Sequence, residues 1–311
     1  MKIVIFGSGG VGGYFGGRLA HAGQDVTFIA RGMHLAAIQT SGLRVDSISG
    51  DFRVHPAKAS DSPQSVGEAD LILLAVKAWQ LDAAITQMKP LVGGQTVILP
   101  LLNGIEHMDK LLAAFDRRNV VGGLCRISSF VEAPGHIRHV GVQPYIAFGE
   151  LDNSKSERIE SIRRMFAALD GILVDVPADI HVTMWEKFVF ISGTSGVGAY
   201  TRQPIGAYRE DPAARQMLID AMNETAAVAR ARGVMLPESL VAETMKRIDA
   251  LPYAMLASMQ KDMMEGRPSE LNEQTGAVIR LGRAAGIPTP THEKLLAALL
   301  PLEQKARGKQ P

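Results

Sequence analysis

Only one cysteine, Cys125, occurs in 311 residues, so no internal disulfide framework can staple the chain. Such usage fits a reducing compartment, and a buried structural thiol is the role expected for it. Net charge is nearly absent as well: 33 Lys and Arg face 32 Asp and Glu. That balance argues against a nucleic-acid groove or an acidic-membrane footprint and favours a small molecule as partner. Long apolar runs are missing too. The longest uncharged windows, 90–105 and 188–201, carry Gly, Pro, Asn or Ser and fall short of the ~20 apolar residues a spanning helix needs. Met1 and Lys2 lead straight into strand and glycine-loop residues, which leaves no room for a secretory signal. The expectation is a soluble, cytoplasmic protein with no membrane partner. No repeat period or low-complexity tract is visible, and the tail "QKARGKQP" (304–311) is expected to fray.

What is present is a rhythm. Short apolar runs alternate with helical patterns in the first half, the mark of a parallel sheet flanked by helices. "KIVIF" (2–6), "DVTFIA" (25–30), "DLILLAV" (70–76) and "QTVILPL" (95–101) read as strands, and their continuous apolar character suits strands covered on both faces. Residues 120–150 read as an antiparallel extension. Helical patterns then dominate, beginning with 157–171 and interrupted by a short strand over 172–177. The pattern predicts helices over 211–233, 237–249, 253–265, 269–285 and 291–304, the last with Pro301 as a candidate kink. Asp211 as N-cap, Pro212 in the first turn and Gly233 as a stop delimit the first of these. The fold class expected is an α/β Rossmann-type N-terminal domain, 1–178, followed by a mostly α-helical domain, 179–311, with a substrate cleft beside the nucleotide-binding sheet.

Gly7, Gly9 and Gly12 form G-x-G-x-x-G directly after the first strand and at the start of a helix. That context turns a weak motif into a dinucleotide-binding signal: glycines permit a tight turn and backbone approach to a pyrophosphate, and the helix N-terminus offers N–H groups. The loop residues Gly7, Ser8, Gly9, Gly10, Val11 and Gly12 are therefore cofactor-binding candidates. An NAD site places a carboxylate at the end of the second strand, whereas this chain has Ala30, Arg31 and Gly32. A guanidinium there can fork onto a 2′-phosphate, which favours NADPH/NADP+; an ordinary surface arginine is the alternative. His34 is expected to be solvated, with a supporting role at the same phosphate as the alternative. Lys77 and Asn103 follow the next two strands, at the edge where open parallel sheets bind ligands.

The apolar stretch "MWEKFVFISGTSGV" (184–197) carries one lysine. On a helix, Lys187 shares a face with Ile191, Thr194 and Ser195, and Trp185 points elsewhere. Pattern alone leaves two readings open, a lysine held for chemistry and one snorkelling to water over an apolar surface. His136 and His139 lack partners at metal-ligand spacing and read as surface residues, so no metal is assigned. Met255, Met259, Met263 and Met264 read as core or cleft packing. The oligomeric state is left open, a homodimer included.

Taken together, GSGGVG at 7–12, Arg31, "VKAWQ" at 76–80, "NG" at 103–104, "WEK" at 185–187, "SMQKD" at 258–262 and "GRPSE" at 266–270 resemble the ketopantoate reductase (2-dehydropantoate 2-reductase) family over essentially the full length. The resemblance implies NADPH-dependent reduction of a 2-oxo acid on the way to pantothenate. It implies Lys187 as catalytic lysine, Glu270 as ligand of a substrate hydroxyl, Ser258 as a substrate-binding serine, and Lys77 and Asn103 as residues near nicotinamide and substrate. Asp262 would orient neighbours.

One departure stands out. Family members acting on ketopantoate carry asparagines four and eight residues after the catalytic lysine, where this chain has Ile191 and Ser195. Ser195 can still hydrogen-bond a substrate; Ile191 cannot. Three functions follow from these residues: a 2-dehydropantoate 2-reductase, a paralogue reducing another 2-oxo acid or related carbonyl, and a non-catalytic NADPH-binding sensor.

Overall fold

The computed structural model describes residues 1–308. The chain divides into two units: Met1–Leu102 with His107–Ile180, and Asn103–Glu106 with the residues from His181 onward.

In the first unit the strands are β1 (Lys2–Phe6), β2 (Asp25–Ile29), β3 (Leu43–Ser47), β4 (Phe52–Val54), β5 (Lys58–Ser60), β6 (Leu71–Leu74), β7 (Val97–Pro100), β8 (Gly122–Ala133), β9 (His136–Gly149) and β10 (Leu173–Asp175). The helices are α1 (Gly10–His21), α2 (Gly32–Ser41), α3 (Pro63–Val66), α4 (Leu81–Met88), α5 (His107–Ala114) and α6 (Glu157–Ala167). One sheet has the order β5-β2-β1-β6-β7, and every pair in it is parallel. Val4, Ile5, Ile72, Leu73, Ile98 and Leu99 are fully buried within it, as expected of strands with both faces covered. The strand order reverses between β1 and β6. A ligand crevice forms at such a switch point, outside the carboxyl ends of the strands, and the glycine loop after β1 lies there. This is a Rossmann-type unit.

The second sheet has the order β10-β9-β3-β4, with β8 antiparallel to β9. The hairpin matches the antiparallel extension expected over 120–150. The partner strands β3 and β4 were not expected, because "LRVDS" and "FRV" are short and half polar. They gain their apolar side from the shared core: Leu43, Val45, Phe52 and Val54 pack with Tyr14, Ile137 and Phe148. His139, expected at the surface, is buried, with Nδ1 on Ser47 Oγ at 2.8 Å and Nε2 on the Val142 carbonyl at 2.9 Å. His136 is partly buried, with Nε2 3.0 Å from Asp46 and 3.4 Å from Glu132. Arg44 and Arg138 neutralise the same carboxylates. Cys125 is buried as expected.

The second unit is mostly α-helical: α7 (Ile180–Thr201, its first residue in the first unit), α8 (Ile205–Glu210), α9 (Pro212–Ala231), α10 (Leu240–Asp249), α11 (Ser258–Met264), a π-helical turn Asn272–Gly276, α12 (Ala277–Ala285) and α13 (Pro290–Ala306). The caps of α9 are those the sequence announced: Asp211 accepts from the Ala214 N–H at 2.7 Å, and Gly233 takes a positive φ after the helix. The helix expected from 253 starts only at Ser258. Before it, the Tyr253 and Met255 carbonyls accept from the Gly206 and Ile205 N–H groups at 3.0 and 2.9 Å, so this segment serves the open N-terminus of α8. Met259 is buried, whereas Met264 is exposed, against its expected packing role.

Helix α13 passes Pro301 unbroken. The carbonyl that Pro301 deprives of its donor belongs to Ala297, which is exposed, so water can satisfy it. Fraying was expected from 304, but the helix runs to Ala306, and Arg307 donates to Glu303 Oε1 at 2.6 Å and to the Ser269 carbonyl at 2.8 Å. The rest of that expectation, 309–311, lies outside the described residues. Among the described residues, no helix is long and apolar enough to cross a membrane.

Candidate active site

The glycine loop is built by close approach. Gly7 has φ +101°, and a Cβ on it would stand 2.8 Å from the Ala75 carbonyl carbon and the Val76 nitrogen. The loop therefore lies flat against the end of β6, which only glycine allows. A Cβ on Gly12 would collide with the Gly7 carbonyl, and one on Gly10 with the Ser129 carbonyl of β8. Gly9 differs: nothing lies within 4 Å of where its Cβ would be. Helix α1 starts here with no side-chain cap and no acidic residue in its first turn. An uncapped helix N-terminus beside a glycine with open space at its Cβ position suits a pyrophosphate, and the buried Ser129 Oγ beside the loop has no partner. Ser8 and Val11 complete the loop. These residues fit a dinucleotide.

Arg31 is exposed at the N-cap of α2, and its guanidinium donates to Gln87 Oε1 of α4. Lys77 is exposed three residues beyond β6. His34 is partly buried rather than solvated, with both ring nitrogens engaged.

The second unit carries the other candidates. Asn103 and Gly104 group with it although they directly follow the β7 segment in sequence. Gly104 has φ +93°, and a Cβ there would approach the Glu273 carbonyl to 2.8 Å, so glycine is needed to seat this short segment against the π turn. The seating aims Asn103. Lys187 Nζ donates to Asn103 Oδ1 at 3.0 Å, and Asn103 Nδ2 donates to Glu270 Oε2 at 3.1 Å. An amide has one acceptor end and one donor end, so an ammonium on one side and a carboxylate on the other fix which way it points. Gln274, one turn after Glu270, adds a 3.4 Å contact to the same carboxylate oxygen.

Burial differs around this chain of contacts. Lys187, Ile191 and Asn103 are partly exposed, whereas Glu270, Gln274, Thr194 and Ser195 are buried. A lysine that is bonded through its ammonium to a fixed amide is not simply snorkelling. Ser258 lies apart from these groups in exposure, open to solvent at the first residue of α11. Asp262 pairs with Arg267 at 2.8 Å. Burial pushes the Glu273 carboxyl above its ordinary range, and Glu273 Oε2, Gln274 Oε1 and Thr275 Oγ1 are buried without partners. Unsatisfied polar atoms on a π turn are the kind of local irregularity that collects at functional sites. Sequence reading missed Gln274 and Gln87. The only available signal for Gln274 was its spacing of four from Glu270.

Residues 3–153 match the family described as "Ketopantoate reductase PanE/ApbA", and residues 179–303 match its C-terminal counterpart. A 2-dehydropantoate 2-reductase of Mesorhizobium japonicum is 31% identical, with 96% of each chain covered. An uncharacterized oxidoreductase of Bacillus subtilis, YkpB, is also 31% identical, over 96% of this chain and 98% of its own. Among solved structures, a PanE/ApbA family ketopantoate reductase from Ralstonia eutropha superposes with a TM-score of 0.89 at 32% identity, covering 99% of this chain and 100% of its own. The chain thus belongs to the ketopantoate reductase family, oxidoreductases of the 2-dehydropantoate 2-reductase type that act on CH–OH groups.

Proposed function

We propose that the protein reduces 2-dehydropantoate to pantoate with NADPH, and that Lys187 is the general acid. The observation that carries this reading is the Lys187–Asn103–Glu270 sequence of hydrogen bonds at 3.0 and 3.1 Å. When bound, reduced nicotinamide supplies the hydride. The chain's own task is then to meet the negative charge that develops on the substrate oxygen and to deliver a proton to it. Lys187 Nζ suits both tasks, since an ammonium brings positive charge and N–H donors to one atom. Asn103 holds that ammonium in place, and Glu270 holds Asn103. Glu270 is the carboxylate proposed to accept from a substrate hydroxyl. Arg31 at the end of β2 supports NADPH over NADH, because a guanidinium can pair with a 2′-phosphate and no carboxylate occupies that position.

A second reading rests on Ile191. It is partly exposed one helical turn after Lys187 and offers no hydrogen bond, so a 2-oxo acid with an apolar group at that point would lose nothing there. An unpaired polar group costs ~1–3 kcal/mol, a factor of roughly ten to a hundred in selectivity. Assaying the purified protein with NADPH against a panel of 2-oxo acids tests both readings. Preference for 2-dehydropantoate supports the first, preference for apolar 2-oxo acids the second, and no turnover of any 2-oxo acid contradicts both.

A further inference from the structure

His34 stands on the first turn of α2 and belongs to no part of the proposed reaction. Its ring nitrogens link two segments distant in sequence. Nδ1 lies 3.0 Å from the backbone N–H of Gly135, at the turn of the β8–β9 hairpin, and Nε2 lies 2.9 Å from the carbonyl oxygen of Ser8, inside the glycine loop. A backbone N–H can only donate and a carbonyl can only accept. Nδ1 must therefore carry the lone pair and Nε2 the proton, which leaves one arrangement, the neutral Nε2–H tautomer. Burial holds the imidazole below its ordinary pKa, in keeping with a neutral ring.

The Ser8 carbonyl is a consequential atom to hold. In a trans peptide the C=O and the following N–H point in opposite directions, so fixing Ser8 O toward α2 fixes the Gly9 N–H away from it. Gly9 is the N-cap of α1 and the loop residue whose missing Cβ faces open space. The hairpin end of the link is anchored independently: the Gly135 carbonyl accepts from the Arg44 N–H at 2.9 Å, and the Ser129 carbonyl abuts Gly10.

We propose that His34 is a positioning residue for dinucleotide binding, a neutral clamp that sets the Ser8–Gly9 peptide and so aims the N–H donors of the glycine loop. The proposal rests on the reading that this loop holds a dinucleotide. With both nitrogens engaged, His34 has no free donor for a 2′-phosphate and acts through the loop alone.

The test is the Kd for NADPH, read by fluorescence titration of the full-length protein and of His34→Gln and His34→Phe. A glutamine amide presents one donor and one acceptor at a spacing like that of the ring nitrogens, whereas phenylalanine keeps the shape and loses both bonds. His34→Phe should weaken binding about tenfold, the scale of a lost buried hydrogen bond, and His34→Gln should recover most of it. Binding by His34→Phe as tight as wild type overturns the clamp and leaves the dinucleotide reading intact; no NADPH binding by the wild type overturns both. Should His34→Phe fail to fold, 15N shifts of the wild-type ring decide: an unprotonated Nδ1 with a protonated Nε2 supports the clamp, and rapid tautomer averaging contradicts it.

Discussion

Asn103 accepts a 3.0 Å hydrogen bond from the Lys187 ammonium through Oδ1 and donates a 3.1 Å bond to Glu270 through Nδ2. One amide thus orients a cation by way of an anion. Asn103→Asp keeps an acceptor for Lys187, loses the donor to Glu270, and sets two carboxylates against each other. Its kcat/KM should fall at least tenfold, corresponding to ~1–3 kcal/mol for a lost hydrogen bond to a charged group. Steady-state kinetics on the variant check this, and an unchanged kcat/KM would remove Asn103 from the proposed relay.

Arg31 governs the choice of dinucleotide in this account. Its guanidinium is held by Gln87, so the cation is oriented rather than freely rotating. Arg31→Ala should weaken NADPH about tenfold and leave NADH nearly unaffected, since only the 2′-phosphate loses a charge-assisted partner. Paired Kd titrations with the two cofactors give the answer, and equal weakening of both would point to a general loop effect.

Ile191 should set side-chain preference in the substrate. Ile191→Asn is expected to raise kcat/KM for 2-dehydropantoate relative to an apolar 2-oxo acid by roughly ten- to a hundredfold, the selectivity a single hydrogen bond provides. A ratio that does not move would show that this position does not face the substrate.

Stability should respond to acid through Glu224. Burial pushes this carboxyl up, but bonds from His292 and from the Thr291 hydroxyl and backbone outweigh that and hold it below its ordinary value of 4.5. Its Oε2 meets His292 Nδ1 at 2.7 Å, and the carboxylate caps the start of α13 by accepting from the Thr291 and His292 N–H groups at 2.7 and 3.0 Å. A carboxyl with a depressed folded pKa contributes stability above its unfolded value and loses it as pH falls through the folded one. Glu224→Gln should therefore cost ~1–3 kcal/mol at neutral pH, and the gap to wild type should narrow as pH falls below the ordinary value of 4.5. Urea unfolding of both proteins at pH 7 and pH 4 checks the sign.

The sequence was informative where chemistry is local. The glycine loop, Arg31 and the caps of α9 follow from residues within a turn or two of each other, and the structure places strand, loop and helix as expected there. Contacts across long separations were not legible. Lys187 and Asn103 lie 84 residues apart, Asn103 and Glu270 lie 167 apart, and no periodicity links them; only the family resemblance joined them beforehand. His139 was misjudged for the same reason, since its partner Ser47 is 92 residues away. His34 was misjudged likewise, since its bonds go to Ser8 and Gly135, 26 and 101 residues away.

The central claim is that the Lys187 ammonium delivers the proton as the 2-oxo carbon is reduced. Its most direct test is single-turnover NADPH oxidation by Lys187→Ala, with NADPH affinity measured alongside. The rate should fall about 10²- to 10⁴-fold, the usual contribution of a positioned general acid, while the Kd for NADPH stays within about twofold of wild type. A variant that binds NADPH and turns over at the wild-type rate would contradict the account.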